Sequence, residues 1–151
     1  LRRVQRETHH FRGAHLADDE HIRILAKRID DRLLVARRMR RNLALAGVEG
    51  DAARRLAAIK ELYTEDGVVY TPIGAVAGHE AIDKFSGDLR ATHPHFVYTP
   101  HSKPQVLHNA GRIAWGSGPR GESPDYTGWD VIIVRDGKIA ALYVFLDSNP
   151  A

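Results

Sequence analysis

Three groups of residues in this 151-residue chain have types and spacings that could do chemistry: an aspartate inside an apolar segment, three histidines set among prolines, and a glycine-rich hexapeptide. Asp130 lies in Tyr126–Val134, where strand alternation puts Asp130, Ile132 and Val134 on one face and Trp129, Val131 and Ile133 on the other. Either way the carboxyl has apolar company. Taken out of water it keeps its proton to higher pH, which suits a neutral hydrogen-bond donor or a general acid or base working near pH 7. The competing reading pairs Asp130 with Arg112 or another cation near a strand end. Arg112 itself is either a solvated rim residue or an anchor for an anionic ligand.

His93-Pro94-His95, with His101 six residues on, has the residue type of a metal site, since imidazole is the commonest transition-metal ligand. Pro94 breaks the alternation that would aim the rings together, and no Asp or Glu lies within the segment, so solvated loop histidines are expected, one of them able to reach a pocket mouth as a proton shuttle. Gly116-Ser117-Gly118-Pro119-Arg120-Gly121 spells the dinucleotide fingerprint, but that motif works only when it opens a helix, and Glu-Ser-Pro-Asp follows. A flexible hairpin loop is expected there. With no cysteine there is no disulfide, thiolate nucleophile or thiolate metal site, and phosphate-loop, paired-histidine zinc and nucleophile-elbow motifs are missing as well.

The elements that must position these groups can be read from periodicity. Hydrophobic residues at 43% and charged residues at 27%, in a chain of one-domain length, describe a globular α+β domain over 18–151 that follows a poorly specified arm at 1–17. No apolar run is long enough to cross a bilayer, and a soluble cytoplasmic protein is expected. Residues 1–50 carry twelve Lys/Arg and seven Asp/Glu, a balance of +5, against ten and twelve, or −2, in the remainder. The run Arg37-Arg38-Met39-Arg40-Arg41 could contact nucleic acid, yet without interleaved aromatics it reads better as the solvated face of a helix.

From Asp18, the positions Ile22, Leu25, Ile29, Leu33, Ala36 and Leu43 predict an amphipathic helix ending near Gly47. A second begins at Asp51 and carries Leu56, Ile59, Leu62 and Tyr63 on one stripe as far as Asp66-Gly67. Val68–Thr71 reads as a short strand stopped by Pro72, and Gly78 precedes a third helix with Ile82, Phe85 and Leu89 on one face. Strands follow at Phe96–Thr99, continuing towards Leu107, and at Arg112–Gly116, Tyr126–Val134 and Ile139–Leu146, with turns at Asn109-Ala110-Gly111 and Asp136-Gly137. Helices first and an antiparallel sheet afterwards is the α+β pattern.

The order and spacing of Leu62-Tyr63-Thr64-Glu65-Asp66-Gly67-Val68-Val69-Tyr70-Thr71-Pro72, Gly78-His79-Glu80-Ala81-Ile82 with Phe85, Gly128-Trp129-Asp130-Val131, Asp136-Gly137-Lys138-Ile139 and Phe145-Leu146-Asp147 resemble the SnoaL-like branch of the nuclear transport factor 2-like superfamily. The resemblance implies a cone-shaped curved antiparallel sheet wrapped around the N-terminal helices and enclosing a single internal pocket, commonly in a homodimer packed through the sheets. It covers ketosteroid isomerase-like and polyketide cyclase-like enzymes as well as members that catalyse nothing, so the fold does not settle function. The isomerase pattern would place its base where Thr71 stands, and the cyclase pattern its aspartate where Val144 stands. Asp130 matches the isomerase's protonated carboxyl. The isomerase's oxyanion tyrosine has no counterpart in the first helix, although Tyr63 could reach the same wall.

With the Asp130 face inward, Tyr63, Val69, Thr71, Phe85, Leu89, Ile132, Leu142, Val144 and Leu146 would line a mostly apolar cavity for a hydrophobic small molecule. A filled core is the alternative. Trp129, Ile133, Tyr143 and Phe145 would form an outer face suited to a symmetric dimer. The expected activity is acid–base catalysis by Asp130 on a carbonyl-containing metabolite, of isomerase, cyclase or dehydratase type, needing no cofactor and no metal. The alternatives are a non-catalytic binding or dimerisation module on the same fold, and a nucleic-acid or adaptor contact through the basic first helix.

Overall fold

The computed structural model describes residues 15–46 and 52–147. Residues 1–14 of the expected arm, the helix stop at Gly47 and the cap at Asp51 lie outside these residues, while the arm's last three residues belong to the first helix, which begins at His15 and not at Asp18. Three helices, α1 (His15–Ala46), α2 (Ala52–Leu62) and α3 (His79–Thr92), pack on a curled, unclosed sheet of seven strands: β1 (Tyr63–Thr71), β2 (Gly74–Ala77), β3 (Phe96–Pro100), β4 (Gln105–Leu107), β5 (Ala110–Pro119), β6 (Tyr126–Arg135) and β7 (Lys138–Leu146). The strand order is β2-β1-β7-β6-β5-β3, with β4 also paired to β5. This is the expected α+β fold. The sheet is mixed rather than wholly antiparallel, because β1 enters beside the last strand and pairs with it in parallel, Val69 opposite Leu142. No helix among the described residues is long and apolar enough to cross a membrane.

Several boundaries depart from the local pattern for tertiary reasons. Tyr63 continues the stripe of α2, but the chain turns into β1 there, and pairing with Ile139 of β7 outweighs helix propensity. β2 forms a hairpin with β1 across Pro72-Ile73, with Thr71 opposite Gly74. The β4–β5 turn falls at His108-Asn109, before the expected Asn109-Ala110-Gly111, with His108 at φ 51°. The turn at Asp136-Gly137 forms as its sequence demands, both residues at positive φ.

The greatest departure is in α1. A helix of 32 residues is about 48 Å long, and only its C-terminal part rests on the sheet. Val35, Met39 and Leu43 enter the core, whereas Ile22, Leu25, Ile29 and Leu33, expected to face inward, are 50–61% exposed. The basic run within it is used internally in part: Arg38 Nε donates to the carbonyl of Gly137 at 2.9 Å, and Arg41 pairs with Glu61 at 2.6 Å. Gly111 on β5 lets α1 approach, since a Cβ there would meet Val35 at 2.7 Å and overlap the Met39 sulfur. Arg55 of α2 grips Asp83 of α3 through two bonds of 2.7 and 3.3 Å, fixing the two short helices as one wall.

Gly128 of β6 is the tightest point for the interior. A Cβ there would collide with the Phe145 carbonyl oxygen and lie 2.9 Å from the Trp115 indole. Gly128→Ala is expected to cost about 3 kcal/mol, because the colliding atom is backbone, and to lower Tm by roughly 6–12 °C. Thermal unfolding of the variant checks this; a Tm within about 2 °C of wild type would show that the sheet accommodates the methyl.

Candidate functional site

The helices do not fill the concave face of the sheet, and a cavity of about 470 Å³ remains between them. Its walls are chiefly apolar: Ile59 from α2, Ile82, Phe85 and Leu89 from α3, Val69 from β1, and Leu142, Val144 and Leu146 from alternate positions of β7. Native interiors rarely leave voids much larger than a water molecule, so a space of this size is a feature of the fold and not a packing fault.

Asp130 stands in this wall, 5% exposed. Its Oδ1 accepts from Trp115 Nε1 at 2.8 Å and its Oδ2 from Asn42 Nδ2 at 3.2 Å. Trp115 is opposite Gly128 on the neighbouring strand, one inward position along from Asp130, and the absent side chain lets the indole lie across β6 and reach the carboxylate. Asn42 comes from the buried end of α1. Its Oδ1 in turn accepts from the Tyr63 hydroxyl at 2.5 Å, so Tyr63, Asn42, Asp130 and Trp115 form one chain of polar contacts. Burial pushes the Asp130 carboxyl up to about 6, against the opposing pull of the Trp115 and Asn42 donors. Burial, and then the Asp130 charge, push Tyr63 well above the ordinary phenol range, so its hydroxyl keeps its proton and donates it to Asn42.

Tyr63, Val69, Thr71, Phe85, Leu89, Leu142, Val144 and Leu146 all line the cavity. Ile132 does not. It is fully buried one inward position further along β6, opposite Gly111, where the close approach of α1 fills the space that the cavity occupies elsewhere. Arg112 points outward, bonding Gln105 at 2.7 Å with its guanidinium 5.2 Å from the centre of the Trp129 ring; it neither pairs with Asp130 nor reaches the cavity. Of His93, His95 and His101, only His93 lines the cavity, its ring tilted against Phe96 at 4.5 Å, and all three are exposed. The glycine-rich hexapeptide is a loop only at its end, where Arg120-Gly121 turn out of β5, and its first four residues are strand. Gly116, Ser117 and Gly118 are buried within β5, where side chains would collide with the His101 ring and Pro124.

Asn42, Trp115, Tyr98 and Tyr126 also face the cavity and were not expected from the sequence. The readable signal for Trp115 was Gly128, a strand-interior glycine two residues from a buried acid, which marks the close approach of something large. Asn42 gave none, since on α1 it is one polar residue among many.

The SnoaL-like domain family matches residues 45–142, and the chain belongs to it. A candidate isomerase of that family from Agrobacterium tumefaciens aligns over 79% of this chain and 99% of its own, with TM-score 0.69 and 22% identity. A candidate ketosteroid isomerase from Kribbella flavida covers 80% and 83% (TM-score 0.61, 14% identity), and a candidate polyketide cyclase from Sinorhizobium meliloti 62% and 84% (TM-score 0.52, 21% identity). At these identities the likeness is one of fold. No curated protein matches the chain.

The raised carboxyl gives a pH signature. A folded-state value near 6 lies above the unfolded value of about 3.9, so the stability Asp130 contributes is complete below about pH 4 and lost as pH rises through 6. Wild type is expected to weaken relative to Asp130→Asn by roughly 3 kcal/mol between pH 4 and 7. Denaturant unfolding of both proteins across that range checks it. A gap that widens in favour of wild type as pH rises would mean that Asp130 is stabilised as the anion.

Proposed function

We propose that the chain binds a hydrophobic, carbonyl-containing small molecule in this cavity and moves a proton on it with Asp130, in an isomerisation, cyclisation or dehydration. One observation carries the reading: the only carboxylate lining an apolar cavity, among the described residues, is desolvated to the point of titrating near neutrality, with no Lys or Arg in the walls to hold it ionised. Above pH 6 the carboxylate accepts a proton from the carbon beside a bound carbonyl, the C–H pair passing into the carbonyl as an enolate. The protonated Asp130 then returns the proton to that carbon or to one further along a conjugated system. Trp115 and Asn42 hold the carboxylate in place, each leaving it lone pairs for the ligand. The names of the isomerase and cyclase neighbours support this only by analogy of fold.

A second reading, a non-catalytic binding module, is favoured by the positions that carry carboxylates in related enzymes. Thr71 uses its hydroxyl on the Gly74 carbonyl at 3.0 Å, and Val144 is an apolar wall residue. Exchange of protons for deuterium beside the carbonyl in a panel of cyclic ketones and enones, followed by NMR, separates the two. Wild type is expected to exchange at least one member on the order of 100-fold faster than Asp130→Asn. Binding with no exchange above the protein-free rate in either protein would leave the binding module.

We further propose that a second copy of the chain covers the outer face of the sheet. Tyr70 and Tyr143 stack there at 4.6 Å, and Phe145 is 56% exposed, an apolar group of the kind that a two-fold contact buries. Light scattering is expected to give a dimer mass for wild type and a monomer mass for Phe145→Glu; a monomeric wild type overturns the proposal.

A further inference from the structure

Asp130 is not the only polar feature of the cavity. Tyr126 of β6, Ser117 of β5 and Tyr98 of β3 are aligned across three neighbouring strands, and the two tyrosines line the cavity. The small Ser117 between them lets the phenols lean together, and their hydroxyls meet at 2.9 Å. Each phenol has one proton to donate, and a bond between the two uses only one of them. Among the described residues no further group accepts the other at hydrogen-bond distance, and Ser117 Oγ beneath them is fully buried, near the Tyr98 hydroxyl but outside hydrogen-bond geometry. Buried donors and acceptors are normally paired, because leaving one unpaired forfeits the hydration it had in water. Ser117 is sealed beneath the phenols and outside the cavity lining, whereas Tyr98 and Tyr126 line it, so the phenol pair offers its spare O–H to a ligand oxygen. Burial, and then the bond with Tyr126, push Tyr98 well above the ordinary phenol range, so it stays a hydroxyl, and the nearby Ser117 opposes this only in part.

The position relative to Asp130 sets the class of ligand. Tyr126 and Asp130 are four residues apart on one strand face, so their Cα atoms are about 13 Å apart. Between them the Trp115 indole runs along the wall, its nitrogen on Asp130 and its ring edge-on to Tyr98 and Tyr126 at 5.2 and 5.8 Å. We infer that Tyr98 and Tyr126 form a second oxygen-binding subsite, and that the ligand is an elongated, flat, hydrophobic molecule with a carbonyl at the Asp130 end and a hydroxyl or second carbonyl oxygen at the tyrosine end. This rests on the reading of Asp130 as the carbonyl end and adds the requirement for a second oxygen.

The test uses two fluorescent probes on the full chain: 2-acetylnaphthalene, and 6-acetyl-2-naphthol, which adds a hydroxyl at the opposite end of the two-ring frame. The readout is the ratio of their dissociation constants in wild type, Tyr98→Phe, Tyr126→Phe and Asp130→Asn. Wild type is expected to prefer the naphthol about tenfold, the worth of one hydrogen bond to a buried group. Either phenylalanine variant should bring the ratio below two, and Asp130→Asn should weaken both probes while keeping it. A tenfold ratio that survives both phenylalanine variants, or that disappears in Asp130→Asn alone, places the hydroxyl elsewhere and overturns the subsite. A wild type that binds both probes equally also overturns it and leaves the Asp130 reading standing, whereas a wild type that binds neither overturns both.

Discussion

A carboxylate held 5% exposed inside an apolar wall is the most demanding interaction in this structure, and the geometry of the interior follows from satisfying it. Burying an ionisable group without partners costs more than most single contacts return, so donors must be brought to it from other elements. One comes from β5, the Trp115 indole, and it arrives only because β6 offers Gly128 as a gap for the ring to cross. The other comes from α1, the Asn42 amide, itself held by the hydroxyl of Tyr63, the first residue of β1. Helix and strands are thus tied together at one carboxyl, and neither donor carries a full charge. That leaves Asp130 titrating near 6, where a cation partner would have held it ionised well into acid.

The cavity is the second consequence. A sheet that curls around three helices could be filled to native density by larger side chains, and an empty volume of about 470 Å³ forfeits the dispersion contacts its lining would otherwise make. The helices that bound it are braced to one another and to the sheet. The Arg55–Asp83 pair locks α2 to α3, Gly111 lets α1 settle closely on β5, and the bonds from Arg38 and Arg41 hold α1 to the β6–β7 turn and to α2. A ligand that fills such a space restores the missing contacts and stabilises the folded state in proportion to its occupancy.

The strands that bound the site were legible because alternation is local. Leu142, Val144 and Leu146 on one face of β7, and Asp130 inward on β6, follow from a period of two, and the Asp136-Gly137 turn fixes their pairing. The third helix was legible for the same reason, since Ile82, Phe85 and Leu89 share a face whatever it packs against. Tyr63 was legible as a lining residue but not as part of a strand, because its side chain fits equally the last turn of α2 and the first inward position of β1, and only pairing with β7 decides. Of the expected α1 stripe Leu43 is buried but Ile22 to Leu33 are not, because Val35 and Met39 offer a second apolar face and only contact with the sheet shows which is buried. The tyrosine pair escaped notice because its members are 28 residues apart and meet across a third strand, a register that no local pattern specifies.

A single carboxylate narrows the chemistry more than the fold does. Reactions that need a proton removed at one atom while another is delivered elsewhere call for two groups of differing acidity, and Thr71 and Val144 supply neither a base nor an acid. Asp130 alone can take a proton and give the same one back, provided that its two states lie close in energy, which a value near 6 ensures at neutral pH. Of the three reaction types proposed, a shift of a double bond by transfer of one proton makes the fewest demands on the residues present. Cyclisation or dehydration would require the ligand to supply the second group itself, for instance through an oxygen of its own. With no second carboxylate lining the cavity among the described residues, the proposed chemistry turns attention to the ligand, which would bring either a mobile proton within reach of Asp130 or a functional group that completes the pair.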